Sequence, residues 1–185
     1  MSRFLGAVLA GGRSTRFGSD KAEAVLEGRR LLDHAIRALG EHVDEVVLCG
    51  RTVEGMVCLP DRPASDLGPL GGINAALHYA RQHGFSAVIT TGCDMPNFPT
   101  ELFDTLVGQG AAVLEGQHLA GFWPSTLADR LDQHLMQISN RSLFAWFDQI
   151  SPRFVTMPDL VMPNINRVGD LEALAKEWRR QAAQD

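Results

Sequence analysis

Lysine is scarce in this sequence, which has Lys21 and Lys176 and otherwise uses arginine for positive charge. Acidic residues outnumber Lys and Arg by 22 to 17, so the formal net charge is −5. A mildly acidic chain offers no overall electrostatic reason to bind nucleic acid or an anionic membrane. Any anionic ligand must be held by a local cluster of positive groups, which makes the position of Lys21 informative.

Cysteine is also sparse, and long apolar runs are missing. Cys49, Cys58 and Cys93 are an odd number without close pairing, which argues against a disulfide framework or a zinc site. A reducing, cytoplasmic setting is the simplest interpretation. The apolar run near the N-terminus stops at Gly11 and Gly12, too short for a membrane span, and no signal-peptide cleavage pattern follows.

The composition and the hydrophobic pattern predict one α/β domain covering 1–185. The chain has 185 residues, of which 45% are hydrophobic, enough for a sizeable core. The pattern predicts strands at 4–10, 45–49, 56–59, 87–91, 111–114, 118–123 and 153–157, and helices at 31–39, 73–82, 99–107, 126–136, 142–149 and 169–184. Alternating strands and helices indicate a mostly parallel, Rossmann-like sheet in a three-layer α/β/α sandwich. Ligands of such sheets bind beyond the carboxyl ends of the strands.

The loop after the first strand, LAGGRSTRFGSDK, favours phosphate binding. Gly11 and Gly12 allow close backbone approach, and successive N–H groups can form an anion-binding nest. Arg13, Arg16 and Lys21 add three cations within a short span. The spacing fits neither the P-loop nor the dinucleotide fingerprint. The alternative is a tight strand-to-helix turn with solvated arginines, which explains fewer of these residues.

Two further loops follow predicted strands. Asp94, in TGCDMP, is placed to hold Mg²⁺, which bridges phosphate oxygens, although an Asp before Pro also commonly caps a turn. A long loop at 60–72 ends in Gly71 and Gly72, which would let the backbone pass close to a base or ribose. The alternative for this segment is a plain loop and the first turn of a helix.

Near the C-terminus, Asn164 and Asn166 lie two residues apart, so on an extended segment they face the same side. Together they can hydrogen-bond a polar ring system. The alternative is that Asn166 starts the final helix while Asn164 sits in a turn. Spacing alone favours this second interpretation.

In their order along the chain, these segments resemble the molybdenum cofactor guanylyltransferases of the MobA type, within the wider nucleotidyltransferases. The resemblance covers nearly the whole chain and rests on LAGG at 9–12, DK at 20–21, GPL at 68–70, CDMP at 93–96 and NIN at 164–166. It implies the fold of the nucleotide-diphospho-sugar transferases. It also implies an enzyme that uses Mg²⁺ to transfer GMP from GTP to the phosphate of molybdopterin.

The resemblance assigns roles to individual residues. The backbone of Leu9, Ala10 and Gly11 would bind GTP, and Lys21 would contact its phosphates. Asp61 falls at a nucleotide-contacting acidic position.

Asp94 would bind Mg²⁺ and nucleotide, and with Lys21 and Arg16 it completes the candidate catalytic set. Asn164 and Asn166 would line the molybdopterin side, which reverses the preference from spacing. Cys49 stands where the family often has a nucleotide-contacting Asn.

Two other interpretations remain open at this stage. The first is a related nucleotidyltransferase, such as a cytidylyltransferase, and Gly11 favours the guanylyl donor because cytidylyltransferase relatives usually have Ala there. The second is a nucleotide-binding module without turnover, which has less need of Asp94 and Lys21 together. The expected partners are GTP and molybdopterin, with molybdoenzyme chaperones as further candidates.

Overall fold

A seven-stranded sheet lies at the centre of the computed structural model. The structure describes residues 2–11, 20–137, 140–158, 160, 165 and 168–182. The strands are β1 (Phe4–Leu9), β2 (Val25–Leu26), β3 (Arg29–Arg30), β4 (Glu45–Cys49), β5 (Cys58–Leu59), β6 (Ala87–Gly92), β7 (Ala112–Leu114), β8 (Gln117–Pro124) and β9 (Arg153–Val155). The helices are α1 (Leu31–Gly40), α2 (Pro69–Gln82), α3 (Thr100–Leu106), α4 (Ala128–Gln137), α5 (Leu143–Ile150) and α6 (Val168–Ala182).

The strand order in the sheet is β5-β4-β1-β6-β8-β7-β9. Strand β8 runs antiparallel to both of its neighbours, whereas β1 pairs in parallel with β4 and β6. In chain order, β4 is placed on one side of β1, and β6 is placed later on the other side of β1. The gap between the ends of β1 and β6 is therefore the topological switch point, where open α/β sheets bind their ligands.

Both faces of the sheet are covered by helices, which confirms the predicted three-layer sandwich. Successive residues of β1 point to opposite faces, so Leu5, Ala7 and Leu9 pack with α2, α4 and α5, while Val8 and Ala10 pack with α1 and α3. All five are at most 7% exposed. Burial on two sides explains why this strand has a nearly continuous apolar sequence. No helix in the described ranges is long and apolar enough to cross a membrane.

The predicted start of α2 is wrong, because the helix begins at Pro69 rather than at 73. Gly68 precedes it with a φ of +64°, and Pro69 occupies the first helical position, where its fixed φ suits a helix. Gly71 and Gly72 therefore lie in the first turn of α2 and not in a loop. The loop that connects β5 to α2 is correspondingly shorter than predicted.

The sequence pattern also misses the hairpin of β2 and β3. These two-residue strands are joined by Glu27 and Gly28, with φ values of +48° and +78°. Strands this short have no measurable period. The hairpin leads directly into α1, and Leu26 packs with Leu31, Ile165 and Leu174 in a small separate cluster.

Candidate nucleotide-binding site

The candidate site lies at the switch point of the sheet. Ala10 and Gly11 follow β1, and Cys93 and Asp94 follow the neighbouring strand β6. The backbone N–H of Cys93 donates to the carbonyl of Leu9 at 3.1 Å, and the N–H of Ala10 donates to the carbonyl of Cys49 at 2.9 Å. These bonds hold the segment after β1 between the ends of β4 and β6.

Lys21 and Asp94 meet at this edge. The Lys21 Nζ donates to Asp94 Oδ2 at 2.8 Å, and the two side chains are 12% and 23% exposed. Lys21 begins a short 3₁₀ helix whose N-cap, Asp20, accepts from the N–H of Ala22 at 3.1 Å. Lys21 and Asp94 are 73 positions apart in the sequence and meet because β1 and β6 are neighbours in the sheet. The structure thus brings together two of the three candidate catalytic residues.

Asp94 reaches this position through a tight turn at the end of β6. The N–H of Met95 donates to the carbonyl of Gly92 at 3.1 Å. A Cβ at position 92 would overlap Asp94 Oδ1 and would lie 3.3 Å from Leu119 Cδ1. Glycine at this position therefore lets the carboxylate fold back over the strand end.

A second group of predicted residues packs around the start of α2. A Cβ at Gly71 would lie 2.8 Å from Asp61 Cγ, and one at Gly72 would lie 3.0 Å from Cys49 Cβ and 3.2 Å from Leu9 Cδ2. The helix can approach the ends of β1 and β4 this closely because both positions lack a side chain. One compact group beside the switch point thus contains five residues that the sequence analysis singled out: Leu9, Cys49, Asp61, Gly71 and Gly72.

The Asp61 carboxylate is held against this first turn. Its Oδ2 accepts from the N–H of Leu67 at 3.3 Å. Burial raises the pKa of Asp61 above its usual value and the charge of Asp66 adds to the rise, while the Leu67 N–H acts in the opposite direction. A partly buried acceptor at this position suits recognition of ligand N–H groups.

Two of the cysteines lie within the site but are poor nucleophiles. Burial raises the pKa of the Cys49 thiol to about 12 and that of the Cys93 thiol to about 11, so both are protonated near neutral pH. Cys49 is 1% exposed and packs against α2. Its side chain therefore fills the core, which leaves only the backbone at the end of β4 for any ligand contact.

Arg51 is a charged residue of this edge that sequence reasoning missed. It follows β4 after Gly50, and its guanidinium donates to Asp20 Oδ2 and, at 2.8 Å, to Glu23 Oε1. The pairing partners lie 31 and 28 residues away, so spacing gives no hint of the contact. The sequence does contain one signal for this residue. Arg51 is a cation that comes just after β4, a strand that ends at the carboxyl edge of the sheet.

The donor chemistry at Asp94 fits a magnesium ion. Mg²⁺ is usually held by one or two carboxylates together with substrate phosphates and water, rather than by a cage of protein ligands. Within the described residues, no group of three or more His, Cys, Asp and Glu is placed to hold a metal ion. A single strand-end carboxylate beside a lysine matches an ion that takes most of its ligands from a bound triphosphate.

Several predicted site residues lie outside the part of the chain that the structure describes. They are Gly12, Arg13 and Arg16 of the first loop, and Asn164 and Asn166 near the C-terminus. Their assignments stay predictions. Ile165, between the two asparagines, is fully buried against Leu26, Leu31 and Leu174.

Comparison with known proteins finds similarity along most of the chain. The family model described as the MobA-like NTP transferase domain matches residues 6–151. A molybdenum cofactor guanylyltransferase of Rhizobium leguminosarum bv. trifolii is 35% identical, over 96% of this chain and 93% of that protein. One from Rhodobacter capsulatus is 32% identical, over 98% of this chain and 99% of that protein.

Solved structures share the fold. Molybdopterin-guanine dinucleotide biosynthesis protein A from Archaeoglobus fulgidus superposes with a TM-score of 0.74 at 20% identity, covering 95% of this chain and 99% of that one. A Mycobacterium tuberculosis protein solved in complex with manganese superposes with a TM-score of 0.66 at 13% identity, covering 95% and 99% of the two chains.

Proposed function

Because the chain belongs to the MobA-like NTP transferase family, we propose that it is a molybdenum cofactor guanylyltransferase. It transfers GMP from GTP to the phosphate of molybdopterin and releases pyrophosphate. The observation that carries the proposal is the Lys21–Asp94 pair, 2.8 Å apart at the switch point of the sheet. Relatives with this activity in their names match nearly the full chain at 35% and 32% identity.

The triphosphate lies beside the end of β1 in this proposal. Backbone N–H groups from Leu9 to Gly11 approach the nucleotide, and Lys21 moves from Asp94 onto the phosphates. Gly12, Arg13 and Arg16 belong to the same phosphate loop. An ammonium on a flexible stem can exchange one anionic partner for another without moving the backbone.

The base and ribose lie towards α2, against Asp61, Gly71 and the backbone at Cys49. Guanine presents its N1–H and its 2-amino group as adjacent donors, which a carboxylate or carbonyl oxygens can accept. A pocket built for these donors rejects bases that lack them, because its own polar groups would remain unpaired. The buried Cys49 side chain supplies no amide, so base discrimination depends on Asp61 and on backbone carbonyls.

Asp94 holds Mg²⁺ in this proposal, and the ion supplies charge neutralisation on the phosphate oxygens. The structural relative with manganese is consistent with a divalent cation. The protein itself positions and orients the two substrates. The molybdopterin phosphate oxygen forms a bond to the α-phosphorus of GTP, and the bond from that phosphorus to the bridging oxygen breaks. Positioning and electrostatic stabilisation account for such a reaction without a covalent enzyme intermediate.

Three further parts of the proposal concern setting and partners. The chain acts as one nucleotidyltransferase domain, since all strands outside the β2–β3 hairpin join one sheet in the described residues. Its three cysteines are free, which suits a reducing cytoplasm. Asn164 and Asn166 are assigned to molybdopterin binding, and molybdoenzyme chaperones are candidate recipients of the product.

Pyrophosphate release tests the proposal directly. The protein is incubated in Mg²⁺ with GTP, CTP or ATP, each with and without molybdopterin. We expect release with GTP only when molybdopterin is present. Equal rates with CTP would replace the guanylyl assignment by a cytidylyl one. Tight nucleotide binding without release in all six mixtures would instead indicate a binding module.

A further inference from the structure

The Arg51 side chain connects the end of β4 to the short helix that carries Lys21. Its Nη1 donates to Glu23 Oε1 at 2.8 Å and its Nη2 donates to Asp20 Oδ2. Arg51 is only 22% exposed, although Asp20 and Glu23 are 49% and 45% exposed. We call these three residues the Arg51 clasp.

Asp20 has two contacts that link the clasp to Lys21. While Oδ2 accepts from Arg51, Oδ1 accepts from the N–H of Ala22 and so caps the first turn of the 3₁₀ helix. The hydrogen bond from Arg51 is the main cause that lowers the pKa of Asp20. The guanidinium therefore favours the ionised form of the capping carboxylate and fixes its orientation.

The clasp lies next to the Cys93–Asp94 turn. Lys21, which follows Asp20 directly, donates to Asp94 at 2.8 Å, so adjacent residues of one turn join the clasp and the Lys21–Asp94 pair. The clasp contains two carboxylates and one guanidinium, so the clasp has a formal charge of −1. Without Arg51 it would be −2, close to where a triphosphate is expected.

We propose that Arg51 is a positioning residue that holds the Lys21 turn through Asp20 and Glu23 and so sets the affinity for the nucleotide triphosphate. The inference rests on the proposed function. Arg51 acts through its two carboxylate partners rather than by touching phosphate. A planar guanidinium can bind two separate carboxylates at once with fixed geometry, which a lysine ammonium does less well.

Variants of Arg51 test this role by nucleotide binding and by steady-state kinetics. Arg51→Gln should weaken GTP binding and raise the KM for GTP by about tenfold, the size of one coupled contact. The KM for molybdopterin should stay within about twofold, because the proposal assigns the clasp no contact with that substrate. Arg51→Lys should recover part of the loss.

A matched control is Arg81→Gln. Arg81 also forms an exposed pair, donating to Asp129 at 2.6 Å, but it lies at the far end of α2, away from the carboxyl edge. We expect it to leave both KM values unchanged. Equal thermal stability of the two variants would show that loss of an ion pair alone does not explain the effect of Arg51→Gln.

The neutralised background Asp20→Asn with Glu23→Gln separates positioning from direct phosphate contact. Asn at position 20 retains a cap acceptor but loses the charge. If Arg51 acts through the clasp, adding Arg51→Gln to this background should change GTP affinity by less than about twofold. A full tenfold loss in that background, or no loss in the single variant, would overturn the inference. Nucleotide binding is measured without turnover, so a failure of the proposed transferase activity would appear separately.

Discussion

Gly50 offers a sharp test of how closely the strand ends at the site approach one another. It follows β4 with a φ of +81°, and a Cβ at this position would lie 2.6 Å from Gly11 Cα and 2.7 Å from Gly11 N. Both atoms belong to the backbone, so no side-chain rotation can relieve the overlap. Gly50→Ala should therefore push Gly11 away from the position where it follows β1.

The expected loss of unfolding free energy in Gly50→Ala has two causes, the left-handed backbone and the overlap with Gly11. The variant Gly84→Ala measures the first cause alone. Gly84 has a similar φ of +76°, but a Cβ there would meet nothing within 4 Å. Gly84→Ala should cost only the left-handed backbone penalty, about 1 kcal/mol of unfolding free energy. Gly50→Ala adds an overlap with backbone, for which overpacking values suggest about 1–3 kcal/mol more. We expect a total of about 2–4 kcal/mol at position 50.

Urea unfolding and GTP binding measure the two consequences. Gly50→Ala should lower the unfolding free energy more than Gly84→Ala does, and only the change at position 50 should weaken GTP binding. Because Ala10 donates to the Cys49 carbonyl at 2.9 Å, movement of Gly11 disturbs the same backbone that the proposal places beside the nucleotide. Equal destabilisation by the two variants, with GTP affinity retained at position 50, would refute this reasoning.

The remaining predictions concern three charged residues. Lys21→Ala should abolish most GTP binding and lower the unfolding free energy by about 1–3 kcal/mol, since it removes an ion-pair partner of the largely buried Asp94 carboxylate. Asp94→Asn should reduce turnover and shift its Mg²⁺ dependence to higher concentration, which a metal titration of the rate will detect. Asp61→Asn should raise the melting temperature at pH 7 and weaken GTP binding. Burial raises the pKa of Asp61, so the folded state binds its proton more tightly and this residue's contribution to stability is lost as pH rises through the folded pKa.

Controls for these variants are available in the same chain. Lys176, the other lysine, is exposed on α6, and Lys176→Ala should leave GTP binding intact. Asp104 is exposed on α3, and Asp104→Asn serves as the control for both Asp94→Asn and Asp61→Asn. An unchanged Mg²⁺ profile in Asp94→Asn would contradict its role as a metal ligand. The stability gain of Asp61→Asn should disappear well below pH 4, and a gain that persists there would contradict the pKa argument.

Much of the sheet could be predicted from the sequence because its strands are strongly patterned. The predicted bounds of β4 at 45–49 agree with the structure, and β1 and β6 differ from prediction by one residue at their carboxyl ends. Each of these strands is largely buried and is followed by glycine or a charged turn. The loops that follow β1 and β6 could therefore be placed at one edge of the sheet, where the structure puts Lys21 Nζ 2.8 Å from Asp94 Oδ2.

Elements with weak local signals could not be predicted. Gly71 and Gly72 have low intrinsic helix propensity, which made the start of α2 look like loop. The structural reason for glycine is tertiary, because a side chain at either position would collide with Asp61, Leu67 or Cys49. The Arg51 clasp is tertiary in the same sense. It exists because β4 lies beside β1 in the sheet, and the pattern of β4 alone does not specify its neighbour.

The proposed function requires a chain of net charge −5 to bind a triphosphate, and the pairing of charges in the described site offers a local means of doing so. Lys21 faces Asp94 and Arg51 faces Asp20 and Glu23, so the two cations are held in place before any anion arrives. Such pairing limits the attraction of unrelated polyanions, since a phosphate must compete with a carboxylate already in contact. Under the proposed function, a triphosphate that arrives with a divalent cation would satisfy both partners of the Lys21–Asp94 pair at once, with phosphate for the ammonium and metal for the carboxylate. The proposed roles would thus favour a metal–nucleotide complex over either component alone, through local contacts rather than through the charge of the whole protein.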